Sequence, residues 1–383
     1  MKNIYKYDWL VVGAGLFGAT FANLMAAQGK KVLVMDKRYH VGGNCYLEEH
    51  DHIPIHKYGP HIFHTSEKKV WEYVNQFITF NNFINTPKAL YIDEKNNEKK
   101  LFSLPFNMNT FYEMFGTVSP TLASKKIKEE IESVGLTHEP ENLEEQALSL
   151  VGPTIYNYLI KYYTQRQWGR ECKDLDKSII KRLPLRMSYN DNYFNDKWQG
   201  VANYTLMIER MLSKCDVVLN EDYFVHKEQH DNLAAHVLYT GPIDRYFDYQ
   251  LGPLKWRTVD FFTWSTGPEE SQGVAVINNV GPDGDWTRTI EHKYFNCMDE
   301  NYILAKNWFS KEISMEYDYR DKNMPDPSYP VLNLHTIDLY NRYRDLADSE
   351  EKVIFGGRLA DYRYRDMDDT IMDAMELFNK VNS

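Results

Sequence analysis

The 383-residue chain has only four cysteines, at 45, 172, 215 and 297, and no two of them form a C-x-x-C pair. Neither a disulfide framework nor a thiolate zinc site is indicated, and a reducing, cytoplasmic setting is expected. Positive charge is also short. Lys plus Arg number 44 against 55 Asp plus Glu, a net charge of −11, which argues against nucleic acid as a partner. Any anion the protein binds must therefore meet a local cluster of arginines. Internal repeats and low-complexity stretches are missing, and the length suggests about two to three folded domains. Apart from residues 9–27, WLVVGAGLFGATFANLMAA, no apolar run approaches the ~20 residues of a membrane span. That run carries three spaced glycines and leads straight into KKVLVMD without a small-residue cleavage site. Neither a secretory leader nor membrane insertion is expected.

What the chain does have is aromatic: 14% of residues, with 28 tyrosines offering stacking faces and hydroxyls together. Residues 7–36 read strand, tight turn, helix, strand, a βαβ unit that starts a parallel sheet. The turn Gly13-Ala14-Gly15-Leu16-Phe17-Gly18 matches G-x-G-x-x-G, and Asp36 falls 18 residues after Gly18 at the end of the second strand. There an acid would meet ribose hydroxyls, while the glycines let the backbone approach a pyrophosphate. Lys37-Arg38-Tyr39-His40-Val41-Gly42-Gly43-Asn44 then forms a basic, double-glycine turn that suits a flavin adenine dinucleotide (FAD) site. Gly356-Gly357-Arg358, before a helix starting near Asp366, supplies a second candidate phosphate turn. No second G-x-G-x-x-G offers a nicotinamide site.

From about 70 to 170 the pattern is helical, with Leu143, Ala147, Leu150 and Val151 at helical spacing before a Gly152-Pro153 break. Between about 235 and 296 short runs such as HVLYTG, WRTVDFFTW, GVAVINNV and TRTIEHKYF predict an antiparallel sheet. His56, His61 and His64 in IHKYGPHIFHT follow no metal-ligand spacing, so hydrogen-bonded loop histidines are expected and no metal.

Several blocks together, among them VVGAGLFGA, KRYHVGGN, HKYGPHIFHT, PENLEEQALSLVG, YTQRQWG, SIIKRLPLR, TRTIEHKYF and FGGRLADYRYRDMD, resemble those of bacterial UDP-galactopyranose mutases in order along nearly the whole chain. The resemblance implies an α/β fold: a Rossmann-like FAD-binding domain (1–80, about 195–235 and 335–383), an inserted helical domain (about 81–165), a mobile lid (about 166–194) and an antiparallel β-sheet domain (about 236–334). It implies interconversion of UDP-galactopyranose and UDP-galactofuranose, with reduced FAD as covalent nucleophile at the anomeric carbon and no net redox change. A homodimer is implied as well.

By the same resemblance Arg182 and Arg288 would grip the diphosphate, with His61 and His64 joining them as catalytic groups. Asn85, Tyr163, Thr164, Trp168, Tyr193, Asn278, Tyr317 and Tyr364 would bind UDP-galactose. Gly13, Gly15, Phe17, Gly18, Asp36, Lys37, Gly43, Asn44, His61, Ile62, Arg358, Arg365, Asp366, Met367, Asp368 and Thr370 would bind FAD. Arg257 would act from behind the site. The chain departs from the family at Gln199-Gly200-Val201-Ala202-Asn203-Tyr204, shorter and without the usual glycines, at Trp286 in place of tyrosine, and at Ser328 before Tyr329. The first departure puts local packing of the FAD domain in question.

Overall fold

The computed structural model describes residues 5–180, 183, 185–296 and 306–383. Strand β1 (Tyr7–Val12), helix α1 (Leu16–Ala27) and strand β2 (Val32–Met35) form the expected unit. Among the described residues they belong to a parallel five-stranded sheet ordered Val353–Phe355, Ala234–Tyr239, β1, β2, Asp216–Val218. Helix α1 is buried at Leu16, Phe17, Gly18, Ala19, Thr20, Phe21, Ala22 and Met25. It shares a core with Ile371, Ala374 and Met375 of the C-terminal helix Met367–Asn382. A helix covered on several sides is apolar all round, which explains why its sequence imitates a leader.

The second sheet has seven strands, ordered Pro327–Pro330, Trp256–Thr266, Asn307–Glu316, Arg288–Glu291, Val276–Asn279, Lys88–Asp93 and Glu98–Ser103. Its pairings are antiparallel except that of Val276–Asn279 with Lys88–Asp93. This corrects the sequence expectation in three ways. The sheet is mixed. The segment expected to be helical contributes the hairpin 88–103. HVLYTG belongs to the parallel sheet, where Ala234–Tyr239 lies beside β1. HVLYTG pairs with β1 and Lys88–Asp93 with Val276–Asn279, each more than 180 residues away, which local periodicity does not register, whereas the two strands of the hairpin also pair locally.

Helix Leu143–Ile155 bends at Gly152, which sits at φ 77. The freed Thr154 N–H and its hydroxyl both donate to the Glu130 carboxylate, at 2.9 and 2.6 Å. The shortened segment at Val201–Tyr204 packs well: Val201 and Tyr204 are buried, and Asn203 caps the next helix by accepting from Leu206 N–H at 3.0 Å. Among the described residues no helix is long and apolar enough to cross a membrane, and no cluster of three His, Cys, Asp or Glu forms a metal site.

Candidate functional site

A cavity of about 1220 Å³ lies between the two sheets. At one end stand the loops that follow β1 and β2. Gly13 has φ +115, and a Cβ there would collide with the Thr240 hydroxyl. A Cβ on Gly18 would strike the Gly13 carbonyl, so the helix can approach the turn only without one. Gly43 (φ +54) faces Gly15, and its Cβ would come within 2.9 Å of the Gly15 Cα. Two backbone turns thus meet side by side. Helix α1 has no side-chain cap at Gly15, and neither does the C-terminal helix at Asp366. Both leave first-turn N–H groups at the cavity, the arrangement that holds phosphates.

Asp36 lines this end, but each of its oxygens already accepts a backbone N–H: Ala14 at 2.8 Å and Arg38 at 2.9 Å. It therefore splices the glycine turn to β2 as well as facing the cavity. Lys37 and Arg38 both pair with Asp326, Arg38 Nη2 at 2.8 Å, and both Arg38 terminal nitrogens donate to Asn44 Oδ1 at 3.1 Å. Burial works against the charges of this group, yet Lys37 and Arg38 hold the Asp326 carboxyl below its ordinary range.

The opposite end is built from side chains. Arg288 begins its strand directly opposite Glu312 and Asn278. Glu312, 1% exposed, accepts Arg288 Nε at 2.7 Å on one oxygen and the Thr287 hydroxyl at 2.7 Å on the other. Bonding through Nε leaves the terminal nitrogens towards the cavity, where the Tyr329 hydroxyl also accepts from the guanidinium. Burial opposes its charge, but Glu312, Tyr163 and Tyr329 together more than offset this and raise the Arg288 pKa. Arg358 differs. It donates to the Ser328 carbonyl, has no acid partner among the described residues, and burial lowers its pKa.

Around these cations stand Tyr163, Tyr193, Tyr317, Tyr329 and Tyr364. Tyr329 and Tyr364 lie near-parallel with ring centres 5.8 Å apart. Burial pushes the Tyr317 hydroxyl up to about 12, so it is a neutral donor. Asn85 is 7% exposed, lines the cavity, and its Oδ1 is buried without a partner. A ligand donor would satisfy that acceptor. His64 stacks on Phe194 at 3.8 Å and bonds Asp196 Oδ2 through Nδ1 at 2.9 Å. His61 bonds the Gly59 carbonyl through Nδ1 at 2.8 Å. Burial, and then the Arg358 and Arg288 charges, lower its pKa to about 4, so it is neutral.

The expected residues divide clearly. Gly13, Gly15, Phe17, Gly18, Asp36, Lys37, Gly43, Asn44, His61, Ile62, His64, Asn85, Tyr163, Tyr193, Asn278, Arg288, Tyr317, Arg358, Tyr364, Arg365, Asp366, Met367 and Thr370 all line the one cavity. Thr164, Trp168 and Asp368 do not. Thr164 is buried, Trp168 packs against the helical layer, and Asp368 accepts the Asp369 N–H. Arg182 lies outside the described residues. Arg257 sits behind the site, where Nε donates to the Gln167 carbonyl at 3.0 Å at the end of helix Lys161–Trp168.

Sequence reading missed Glu312, Tyr329 and the Asp326 bridge. Nothing local in NWFSKEISME, which carries Glu316 as well, singles out the first.

A family model described as UDP-galactopyranose mutase matches residues 158–364, and one described as an NAD(P)-binding Rossmann-like domain matches residues 11–77. The chain is 39% identical to a Klebsiella pneumoniae protein named "Probable UDP-galactopyranose mutase", over 96% of this chain and 92% of that one. It is 37% identical to an Escherichia coli dTDP-fucopyranose mutase, over 96% of each. Among solved structures, a reduced UDP-galactopyranose mutase superposes with a TM-score of 0.66 at 12% identity, covering 98% of this chain and 95% of the other. A putrescine oxidase reaches 0.52 at 11% identity, covering 98% and 99%. These two structural likenesses concern the fold alone.

Proposed function

Since the chain belongs to the UDP-galactopyranose mutase family, we propose that it interconverts UDP-galactopyranose and UDP-galactofuranose with the help of bound FAD in its reduced state. The observation that carries this reading is one continuous cavity with two open helix N-termini at one end and Arg288 at the other, with Arg358 between them. Its volume of about 1220 Å³ suits two extended ligands better than one.

The residues present fit a flavin dinucleotide. The close approach of Gly15 and Gly43, with uncapped N–H groups beside them, offers a bed for a pyrophosphate that any Cβ would fill. The residues expected for the cofactor would hold it: the glycine turn, Phe17, Asp36, Lys37, Gly43, Asn44, Ile62, Arg358 and the segment Arg365 to Thr370. When bound and reduced, the flavin would supply an electron-rich nucleophile for the anomeric carbon with no net oxidation.

The remaining work falls to side chains of this chain. Arg288, oriented by Glu312, offers its cavity-facing edge to the diphosphate, and its charge stabilises the UDP oxygen as the anomeric bond breaks. Arg182 would be its partner cation at the diphosphate, and together the two keep the leaving group beside the sugar so that it can return; Arg358 belongs with the cofactor. Tyr163, Tyr193, Tyr317, Tyr329, Tyr364, Asn85 and Asn278 surround the nucleotide and sugar, with Arg182, Thr164 and Trp168 belonging to the lid region. A homodimer, a cytoplasmic location and the discontinuous domain division given above belong to the same reading.

A second reading has one specific support, the 37% identity to the dTDP-fucopyranose mutase: the substrate would be dTDP-fucose. Chromatography of UDP-galactofuranose and dTDP-fucofuranose incubated with the purified protein, with and without dithionite, decides between them. UDP-galactofuranose should be converted to the pyranose only with reductant. Preferential conversion of the dTDP sugar selects the second reading. Turnover that consumes oxygen and needs no reductant would mark an oxidase, and UDP binding with no ring interconversion would mark a binding protein.

A further inference from the structure

The cavity histidine is held by a line of buried groups that none of the roles above uses. The His61 N–H is shared between the Gly59 carbonyl at 2.9 Å and His56 Nδ1 at 3.3 Å. The His61 carbonyl accepts the Tyr204 hydroxyl at 3.1 Å. In turn His56 N–H donates to His292 Nδ1 at 3.2 Å. His292 Nε2 meets Ser310 Oγ at 2.8 Å, and Ser310 Oγ meets Thr263 Oγ1 at 2.9 Å. His56, His292, Tyr204 and Ser310 are each at most 2% exposed. The line therefore runs from the mixed sheet to the turn 56–61 through protein interior.

These contacts fix the ring protons. A nitrogen that faces a backbone N–H must be unprotonated, so His292 and His56 carry their proton on Nε2. His292 is then a donor to Ser310. His61 is the reverse: its Nδ1 faces the Gly59 carbonyl and carries the proton, which leaves Nε2 as a bare acceptor. No described side chain bonds that nitrogen, and the neighbouring guanidiniums of Arg288 and Arg358 can only donate.

We propose that His56 and His292 are positioning residues that lock the turn 56–61, so that His61 presents an unprotonated Nε2 to a hydroxyl or ring N–H of the bound ligand. The proposal rests on the reading of this cavity as the flavin and sugar-nucleotide site. Burial supports it by holding all three rings neutral, with His292 lowered to about 3 and His61 to about 4.

Two variants separate the brace from mere packing. In H292N the side-chain oxygen lies close to where Nδ1 was and still accepts the His56 N–H. In H292Q the polar end lies near the former Nε2, so contact with Ser310 survives and the acceptor for His56 is lost. With the FAD-loaded protein, H292Q should lower kcat by about tenfold or more, while H292N should stay within about threefold of wild type. Equal effects of the two variants, or none from either, would overturn the proposal.

A readout independent of turnover is the imidazole nitrogen spectrum of the wild-type protein labelled with ¹⁵N-histidine, with His61 assigned by its loss in H61N. His61 should show a protonated Nδ1 and bare Nε2, and His56 and His292 the opposite. A protonated Nδ1 on His56 or His292 contradicts the brace, even if H292Q does not fold. Should the wild type show the expected nitrogens yet convert no sugar nucleotide, the brace stands and the mutase reading falls.

Discussion

The two ends of the cavity offer an anion donors of different kinds. At the glycine end the donors are backbone N–H groups of two uncapped helices, and the nearby cations Lys37 and Arg38 already share the carboxylate of Asp326. At the arginine end the donor is a side chain, Arg288, anchored by the buried Glu312 carboxylate. Backbone donors are rigid, permanent and independent of pH, which suits a ligand that stays. Guanidiniums carry full charge on side chains that neighbours can tune, which suits a group whose negative charge rises and falls during each turnover. On the proposed mutase reading, retention and chemistry would fall at opposite ends of one space.

The strongest way to break this contrast is R288A. It removes the guanidinium edge that faces the cavity and strands Glu312 as a buried acid without a countercharge, a loss of about 3–5 kcal/mol or on the order of 10²–10⁴-fold. Turnover should fall by at least that factor while the yellow cofactor stays bound, as absorbance of the gel-filtered protein will show. The converse is G13A, in which Cβ meets Thr240 at a φ of +115. Flavin affinity should drop about a hundredfold, measured by fluorescence titration, since clash and backbone strain together exceed about 3 kcal/mol. If R288A releases flavin, or G13A retains it fully, the division of labour is wrong.

E312Q sharpens the comparison. It keeps the shape and removes the charge that orients Arg288, so UDP affinity should weaken about ten- to hundredfold, less than in R288A. Equal loss in both variants would make Glu312 indispensable to the fold here rather than an orienter.

The smallest effect is in acid stability. His61 and His292 have pKa values of about 4 and about 3 in the folded protein, below the ~6.5 of a free imidazole. From about pH 6.5 down to these values the unfolded chain takes up protons that the folded chain refuses, so the unfolding free energy falls as pH is lowered through that window. Urea midpoints at pH 7 and pH 5 should therefore differ less in H292N than in wild type. An equal or larger difference in the variant contradicts the assignment.

The same contrast governed how much could be read in advance. Gly13 to Asp36 lie within one βαβ unit, so spacing alone located the glycine end, and the kink at Gly152 and the helix after Asp366 were equally local. The arginine end depends on register. Arg288 and Glu312 are 24 residues apart and meet only because two antiparallel strands align them. Tyr329 enters through a short edge strand whose sequence carries no distinctive pattern. In the hairpin 88–103, whose strands pair with each other as well as with Val276–Asn279, the helical pattern of the surrounding segment obscures the strands. Family resemblance supplied Asn85, Tyr163 and Arg288, which no spacing argument could have joined, yet it also nominated Thr164, Trp168 and Asp368, which stand off the cavity.

The central claim is that a flavin and a nucleoside diphosphate sugar share this cavity, held at opposite ends. Its most direct test is to titrate UDP into the FAD-reconstituted protein while recording the flavin absorbance, in wild type and in R288A. Saturable perturbation of the flavin spectrum in wild type, shifted to at least about a hundredfold higher UDP in R288A with flavin still bound, is the expected result. A protein that cannot be made yellow, or UDP binding that neither disturbs the flavin nor responds to R288A, would contradict it.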